Sequence, residues 1–391
     1  MYNNEVRFDG PFLPKETPPG GLDITMKIHE YQSHIQRRKA VQRQRWIIIL
    51  LSTALCVIIT VLAFLLLGQS SDPDPSSSNT SISSDLSSGS VPSDSGSSSS
   101  ASESAASSST VSEEERAELL SNLSKDISDY LSGKPGRYSV MYINMNNGET
   151  VAYEAETPMV AASSVKIAYN TCLYKKFSEN AFSMEEEMAY NSAAYPTGDY
   201  EAGTGTIQNS ANGTLYTIRE VSRLSICISD NCATNMVLRK LGGIDKVNDE
   251  FMSPISSVVN YRKQVSYTDY SGAQQNGRHR TSAQDLAKYT AELYRLYSEN
   301  KDVYEGLIED LCNTEYDWGI PAGLPSGTRV AHKIGFNTAY ATHNDVGIVF
   351  GPEDYVLCVM TESGNAETAK ADIAEISRMV GVYLNDVYGV D

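Results

Sequence analysis

Ser163-Ser164-Val165-Lys166 sets a hydroxyl three residues ahead of an amine, and the reading of the whole chain turns on that spacing. A serine hydroxyl is a weak nucleophile and needs a base within hydrogen-bond reach before it attacks an acyl carbon. If the segment is helical, positions i and i+3 share a face, so Lys166 stands beside Ser163. A helix N-terminus adds free backbone N–H groups for a developing oxyanion and a positive field that favours the neutral amine. Two more polar signatures follow in order, Ser229-Asp230-Asn231 and Lys333-Ile334-Gly335. Together the three read as a nucleophile, its proton carriers and a cationic substrate clamp. Alone each is weak: Ser298 to Lys301 repeats the first spacing in a polar helix end, and Lys134-Pro135-Gly136 and Lys240-Leu241-Gly242 repeat the last.

Around these signatures the sequence predicts an α+β domain. Glu113 to Leu131 carries apolar residues at Leu119, Leu120, Leu123, Ile127 and Leu131, a helical stripe. Residues 138–144 and 150–153 flank Asn146-Asn147-Gly148, a hairpin signal. The helix carrying Ser163 and Lys166 comes next. Residues 181–215 are polar and glycine-containing and read as loops and short helices over the site. Residues 218–228 and 235–241 read as helices, the second ending at Gly242-Gly243. Residues 338–350 and 355–361 form a second predicted hairpin. Ile373, Ile376, Val380, Tyr383 and Val387 mark a closing amphipathic helix. Strands at both ends with helices between them imply one antiparallel sheet shared by the first and last segments.

The rest of the 391-residue chain is of another kind. Residues 46–67, WIIILLSTALCVIITVLAFLLL, hold no charge, and at about 1.5 Å per residue such a run spans the hydrocarbon core of a bilayer. Arg37, Arg38, Lys39, Arg43 and Arg45 precede it, and no Lys or Arg occurs between Gly68 and Glu115. The basic flank is therefore expected in the cytoplasm and the C-terminal bulk outside. The Ser-rich segment that follows lacks the apolar residues to offset its ordering entropy and reads as a tether. The expected organisation is a cytoplasmic tail over 1–45, a membrane helix over 46–67, a linker over 68–112 and a catalytic domain over 113–391. The net charge of −18 argues against nucleic acid as a partner. Five cysteines lie beyond the membrane run, an odd number without zinc spacing, so buried free thiols are expected. The histidines likewise show no metal spacing.

The ordered set of motifs resembles the class A β-lactamase and penicillin-binding superfamily, with its Ser-x-x-Lys, Ser-Asp-Asn and Lys-Thr-Gly signatures. Tyr216-Thr217-Ile218-Arg219-Glu220 before Ser229, Leu241-Gly242-Gly243, and Ile320-Pro321-Ala322-Gly323-Leu324-Pro325 before Lys333 extend the resemblance over the whole outer domain. It implies a five-stranded antiparallel sheet flanked by helices, and no cofactor or metal. It implies that Ser163 is acylated by a β-lactam or a peptidoglycan stem peptide while Lys166 takes its proton, and that Ser229 relays a proton to the leaving nitrogen. Asn231 then holds the substrate's side-chain amide, and Lys333 faces Ser229 and the substrate carboxylate. The backbone N–H groups of Ser163 and of Phe336, just after Gly335, form the oxyanion hole.

Three positions depart from the pattern. Ile334 replaces the motif's hydroxyl residue, and His343 stands where many class A enzymes carry an arginine for the substrate carboxylate. No glutamate lies between Glu250 and Glu292, where the family keeps its deacylating base. The nearest acid to the expected position is Asp269, readable as that base or as a turn residue. The expectation is a membrane-anchored, outward-facing serine hydrolase of this family. The alternatives are a cell-wall D,D-peptidase or transpeptidase with slow deacylation, and a penicillin-binding sensor module without turnover.

Overall fold

The computed structural model describes residues 110–256, 265–268, 274–277 and 280–389. The expected membrane run, nearly all of the Ser-rich tether, and Asp269 lie outside them. Among the described residues no helix is long and apolar enough to cross a membrane.

The chain opens with α1 (Glu113–Leu131), capped by the Ser112 hydroxyl, which accepts from the Glu115 N–H at 3.2 Å. Three glutamates in its first turn complement the helix dipole. Leu123, Ile127 and Leu131, spaced by four, form its buried face. Strands β1 (Arg137–Asn144) and β2 (Thr150–Tyr153) follow as the expected hairpin. Asn144 Oδ1 shapes its turn by accepting the Asn146 and Asn147 N–H groups. Helices α2 (Lys166–Ser178), α3 (Ile218–Cys227), α4 (Asn231–Lys240), α5 (Ala283–Glu299) and α6 (Lys301–Cys312) fill the middle of the domain. Strands β3 (Arg329–Asn337), β4 (Thr342–Phe350) and β5 (Tyr355–Glu362) and helix α7 (Ala366–Tyr388) complete it.

These five strands form one antiparallel sheet in the order β2-β1-β5-β4-β3. The first and last strand segments of the domain therefore pair at its centre, with Val140 opposite Val359. Because strand side chains alternate, β5 feeds two cores. Val356, Cys358 and Met360 pack with α2 and α5, while Leu357 and Val359 pack with α1 and α7. Both faces are covered, so every residue of β5 is buried and the strand reads as a continuous apolar run from Tyr355 to Met360 rather than an alternating one.

The structure differs from the sequence expectation in the element that carries Lys333. Residues 329–337 form a strand of their own. The stretch 338–340, expected as the start of a strand, is instead a 3-10 turn closed by Ala341 at φ +52°. Helix α4 begins at Asn231, four residues earlier than expected, because the Asp230 carboxylate caps it through the Ala233 N–H at 2.9 Å. Cys172, Cys227, Cys232, Cys312 and Cys358 are all free thiols.

Candidate active site

Ser163 lies in a 3-10 turn (Ala162–Val165) that runs directly into α2, so Lys166 is the first residue of that helix. In a 3-10 turn positions i and i+3 eclipse, which stacks the lysine under the serine more directly than the expected α-helical turn does. The residue before the serine, Ala162, has φ +47°, and Ser229 has φ +56°. Both are left-handed conformations that a residue with a Cβ occupies at a cost, on the order of 1–3 kcal/mol each. The surrounding contacts hold them there.

Those contacts are specific. Asn344, buried on β4, donates through Nδ2 to the carbonyls of Val160 at 2.8 Å and Ala161 at 3.1 Å, while its Oδ1 accepts the Thr361 N–H. Glu362 Oε1 accepts the Val160 N–H at 3.2 Å and pairs with Arg280 at 3.3 Å. The chain entering the nucleophile turn is thus fixed to the sheet. Behind α2 a buried polar chain links three helices: Ser222 donates to Asn170 Oδ1 at 2.8 Å, and Asn170 Nδ2 donates to Ser225 at 3.1 Å. Ser225 in turn bonds Thr234 at 2.9 Å.

Lys166 is buried, and its ammonium donates to the Ser229 carbonyl at 2.7 Å, the Ser229 hydroxyl at 3.2 Å and Asn231 Oδ1 at 2.9 Å. The first two motifs therefore meet in space. The third meets them through its glycine: a Cβ on Gly335 would stand 2.6 Å from the Ser164 nitrogen, 2.7 Å from the Ala161 oxygen and 3.0 Å from the Ser163 nitrogen. Only a residue without a side chain lets β3 approach the nucleophile turn so closely. A cleft of about 370 Å³ opens over this junction, and Ser163, Lys166, Ser229, Asn231 and Phe336 all line it.

Two expected site residues stand behind the wall of that cleft. Lys333 is fully buried, and its ammonium donates to the Ile334 carbonyl at 3.2 Å. Burial pushes its pKa down to about 8, against the opposing pull of the Asp345 carboxylate. Asp345 is itself buried, bound to His332 Nδ1 at 2.9 Å and to the Ile320 N–H at 2.8 Å. His343 is also buried and stacks on Phe336 with ring centroids 6.4 Å apart. Burial, reinforced by Lys370, lowers its pKa and favours the neutral ring.

One wall of the cleft comes from the segment 181–215, expected as loops and short helices over the site, although its lining residues were not singled out. Glu201, Gly203 and Thr204 come from the loop before α3. The middle residue of the second motif builds it: Asp230 Oδ2 accepts the N–H groups of Thr206 at 2.6 Å and Ile207 at 2.9 Å. Thr204 Oγ1 donates to the Ser229 carbonyl at 2.5 Å, and the Asn231 N–H donates to the Thr204 carbonyl at 3.1 Å. The one sequence signal was Gly203-Thr204-Gly205, since a Cβ on Gly205 would collide with the Asp230 carboxylate at 2.2 Å. Among the described residues no cluster of His, Cys, Asp or Glu could hold a metal ion.

A serine that shares a cleft lining with a buried ammonium bonded to a second hydroxyl, next to a closely approaching glycine strand, is equipped for acyl transfer. Comparison with known proteins agrees with that chemistry. A family model described as "Beta-lactamase enzyme family" matches residues 122–384. The β-lactamase of Bacillus licheniformis is 25% identical over 281 residues, covering 70% of this chain and 86% of that protein. That of Streptomyces albus G is 27% identical over 253 residues, covering 62% and 79%. Among solved structures, PBP-A superimposes with a TM-score of 0.58 at 25% identity, over 68% of this chain and 97% of that one. A PBP-A variant described as an acyl-enzyme complex with penicillin G matches equally well. By its motifs, its sheet and this match over residues 122–384, the chain belongs to the β-lactamase enzyme family.

Proposed function

We propose that the chain is a membrane-tethered, outward-facing serine acyl-enzyme, acylated at Ser163 by β-lactams or by peptidoglycan stem peptides. The observation that carries this reading is the Lys166 ammonium bonded at once to Ser229 and Asn231 on the floor of the cleft that Ser163 lines. Lys166, in its neutral form, takes the Ser163 proton as the oxygen attacks the acyl carbon. The proton passes through the Ser229 hydroxyl to the departing nitrogen. The N–H groups of Ser163 and Phe336 stabilise the oxyanion, each worth about 3 kcal/mol in such sites. Asn231 holds the acyl side-chain amide, and Lys333 supplies a positive field from behind the wall. The β-lactamase relatives and the penicillin G acyl-enzyme of PBP-A support a β-lactam as donor.

Fluorescent penicillin should label the full chain and leave Ser163→Ala unlabelled; equal labelling of both would end this reading. A second reading, a D,D-peptidase or transpeptidase that releases its acyl group slowly, is favoured by one fact: no glutamate occurs from 251 to 291. Asp269 is the acid nearest in sequence to the family's position and the candidate to activate water. Nitrocefin turnover faster than about 1 s⁻¹, a modest enzymatic rate, decides for the β-lactamase. Slower turnover with a persistent mass adduct decides for the peptidase.

The charge-free run 46–67 and its basic flank support anchoring with 1–45 in the cytoplasm, 68–112 as tether and 113–391 outside. Protease added to intact cells should remove the catalytic domain and spare the N-terminal tail. Loss of the tail with the domain protected would reverse the orientation, and protection of both would rule out an outward-facing domain.

A further inference from the structure

The loop that packs against Asn231 brings a carboxylate to the cleft. Among the described residues lining the cleft, Glu201 is the one Asp or Glu and Lys166 the one Lys or Arg. The Lys166 ammonium is committed to the Ser229 carbonyl, the Ser229 hydroxyl and Asn231 Oδ1. Lys333 acts from behind β3 and is fully buried. Glu201 is half-buried.

Its place is set by α4. The Glu201 N–H donates to Cys232 Sγ at 3.4 Å, which ties the backbone to the first turn of that helix. Asn235 is buried and donates through Nδ2 to Glu201 Oε2 at 3.0 Å and to the Asp199 carbonyl at 3.2 Å. The loop then closes on Asn231 itself: Asn231 Nδ2 donates to the Ala202 carbonyl at 3.3 Å, and a Cβ on Gly203 would stand 2.6 Å from that same nitrogen. Positions i and i+4 of a helix are neighbours about 5–6 Å apart, so the carboxylate steered by Asn235 stands beside the amide of Asn231. Arg239, a further turn along α4, spends its guanidinium on the Asp199 carboxylate at 2.8 and 2.9 Å.

On the acyl-enzyme reading above, Asn231 holds the amide of the acyl part, and whatever branches from that part beside the amide passes Glu201. An ammonium there meets a carboxylate already aimed by a buried donor, whereas a carboxylate there meets a like charge. We propose that Glu201 is a specificity-determining residue, which makes the chain prefer acyl donors that carry a primary ammonium next to the acyl amide. The leaving part is untouched by this preference, since the positive field of Lys333 reaches the cleft from the other strand wall.

Three penicillins with one phenylacetyl framework test this. They differ at its α carbon, which bears hydrogen in benzylpenicillin, an ammonium in ampicillin and a carboxylate in carbenicillin, and their leaving parts are identical. The second-order rate of β-lactam ring opening by the full chain in detergent is measured at about pH 6.5, below the ordinary α-amino pKa, with the mass adduct on Ser163 followed beside it. Glu201→Gln keeps a carbonyl for Asn235 and removes the charge, so its rate ratios give the intrinsic reactivities of the three compounds. Relative to that variant, wild type should favour ampicillin over benzylpenicillin by about threefold more and carbenicillin by about threefold less, the scale of one partly exposed ion pair. Ratios within one variant cancel any general loss of the site. Glu201→Lys should shift both ratios the opposite way. Equal ratios in wild type and Glu201→Gln overturn the proposal, as does a Lys variant that keeps the wild-type order. Neither ring opening nor an adduct with any of the three overturns the acyl-enzyme reading itself, and the inference with it.

Discussion

Gly335→Ala asks whether the close approach of β3 to the nucleophile turn is what assembles the site. The added methyl would stand 2.6 Å from the Ser164 nitrogen, 2.7 Å from the Ala161 oxygen and 3.0 Å from the Ser163 nitrogen. All three are backbone atoms, so no side-chain rotation relieves the contact. The turn is pinned from behind by the two Asn344 hydrogen bonds and by Glu362. The strand must therefore withdraw by roughly half an ångström or more to reach ordinary contact distance, a shift that overpacking of this kind costs about 1–3 kcal/mol. That leaves the domain folded, with a lower melting temperature. Catalysis loses more, because Ser163 and the β3 backbone part company; displacement on this scale or loss of one oxyanion donor costs on the order of 10²-fold. The assay is the second-order rate of fluorescent-penicillin labelling of the full chain, read beside a thermal melt. A folded variant that labels within threefold of wild type would refute the idea that this contact positions the nucleophile.

Other expectations follow from the same geometry. Asn344→Ala removes the donors to Val160 and Ala161, of which the Ala161 carbonyl keeps its bonds from Ser164, so stability should fall by about 1–3 kcal/mol and acylation should fall with it; an unchanged labelling rate would mean that the turn holds itself. Lys333 carries a pKa of about 8, so the charge that supports acylation is present below pH 8 and is lost above it, and labelling should show an alkaline limb near there. A flat profile from pH 7 to 10 would remove Lys333 from the mechanism. Arg116 bridges Glu149 at 2.6 Å and Glu353 at 2.5 Å, clipping α1 to the sheet. Burial raises both carboxyl pKa values, but the hydrogen bonds from Arg116 and its neighbours outweigh it and hold them below the usual range. The clip's contribution is then complete above the unfolded carboxylate pKa and is lost as pH falls through the depressed folded values. Arg116→Met should cost on the order of 3 kcal/mol at pH 7, measured by denaturant titration, and much less in strong acid; a cost independent of pH would show that packing, not charge, is what the arginine supplies.

Much of this could be read from the residues because the decisive signals are local. The Ser-x-x-Lys spacing needs one turn of helix, and the stripe of α1 and the Asn-Asn-Gly turn each declare themselves within a few residues. β3 did not, since Arg329–Asn337 mixes His332 and Lys333 into a strand that is buried nearly throughout. Its charges look like those of a surface edge until Asp345, on the neighbouring strand, is seen to bind His332. The segment that holds Glu201 and Thr204 reads as loop over the site, but which of its residues line the cleft was hidden for a related reason. It is an irregular loop without period, fastened by the Asp230 carboxylate from about 25 residues downstream.

The pairing of β1 with β5 at the centre of the sheet has a temporal meaning. A polypeptide emerges from the ribosome N-terminus first, so the hydroxyl at 163 and its amine exist as chain long before Gly335 is made. Until residues 329–362 arrive, β1 lacks its central neighbour and the nucleophile turn lacks the surface it leans on. Such distant pairings are slow to form because their loop entropy is spent before any contact is gained. Assembly of the turn that carries Ser163 therefore waits for residues 329–362, late in synthesis.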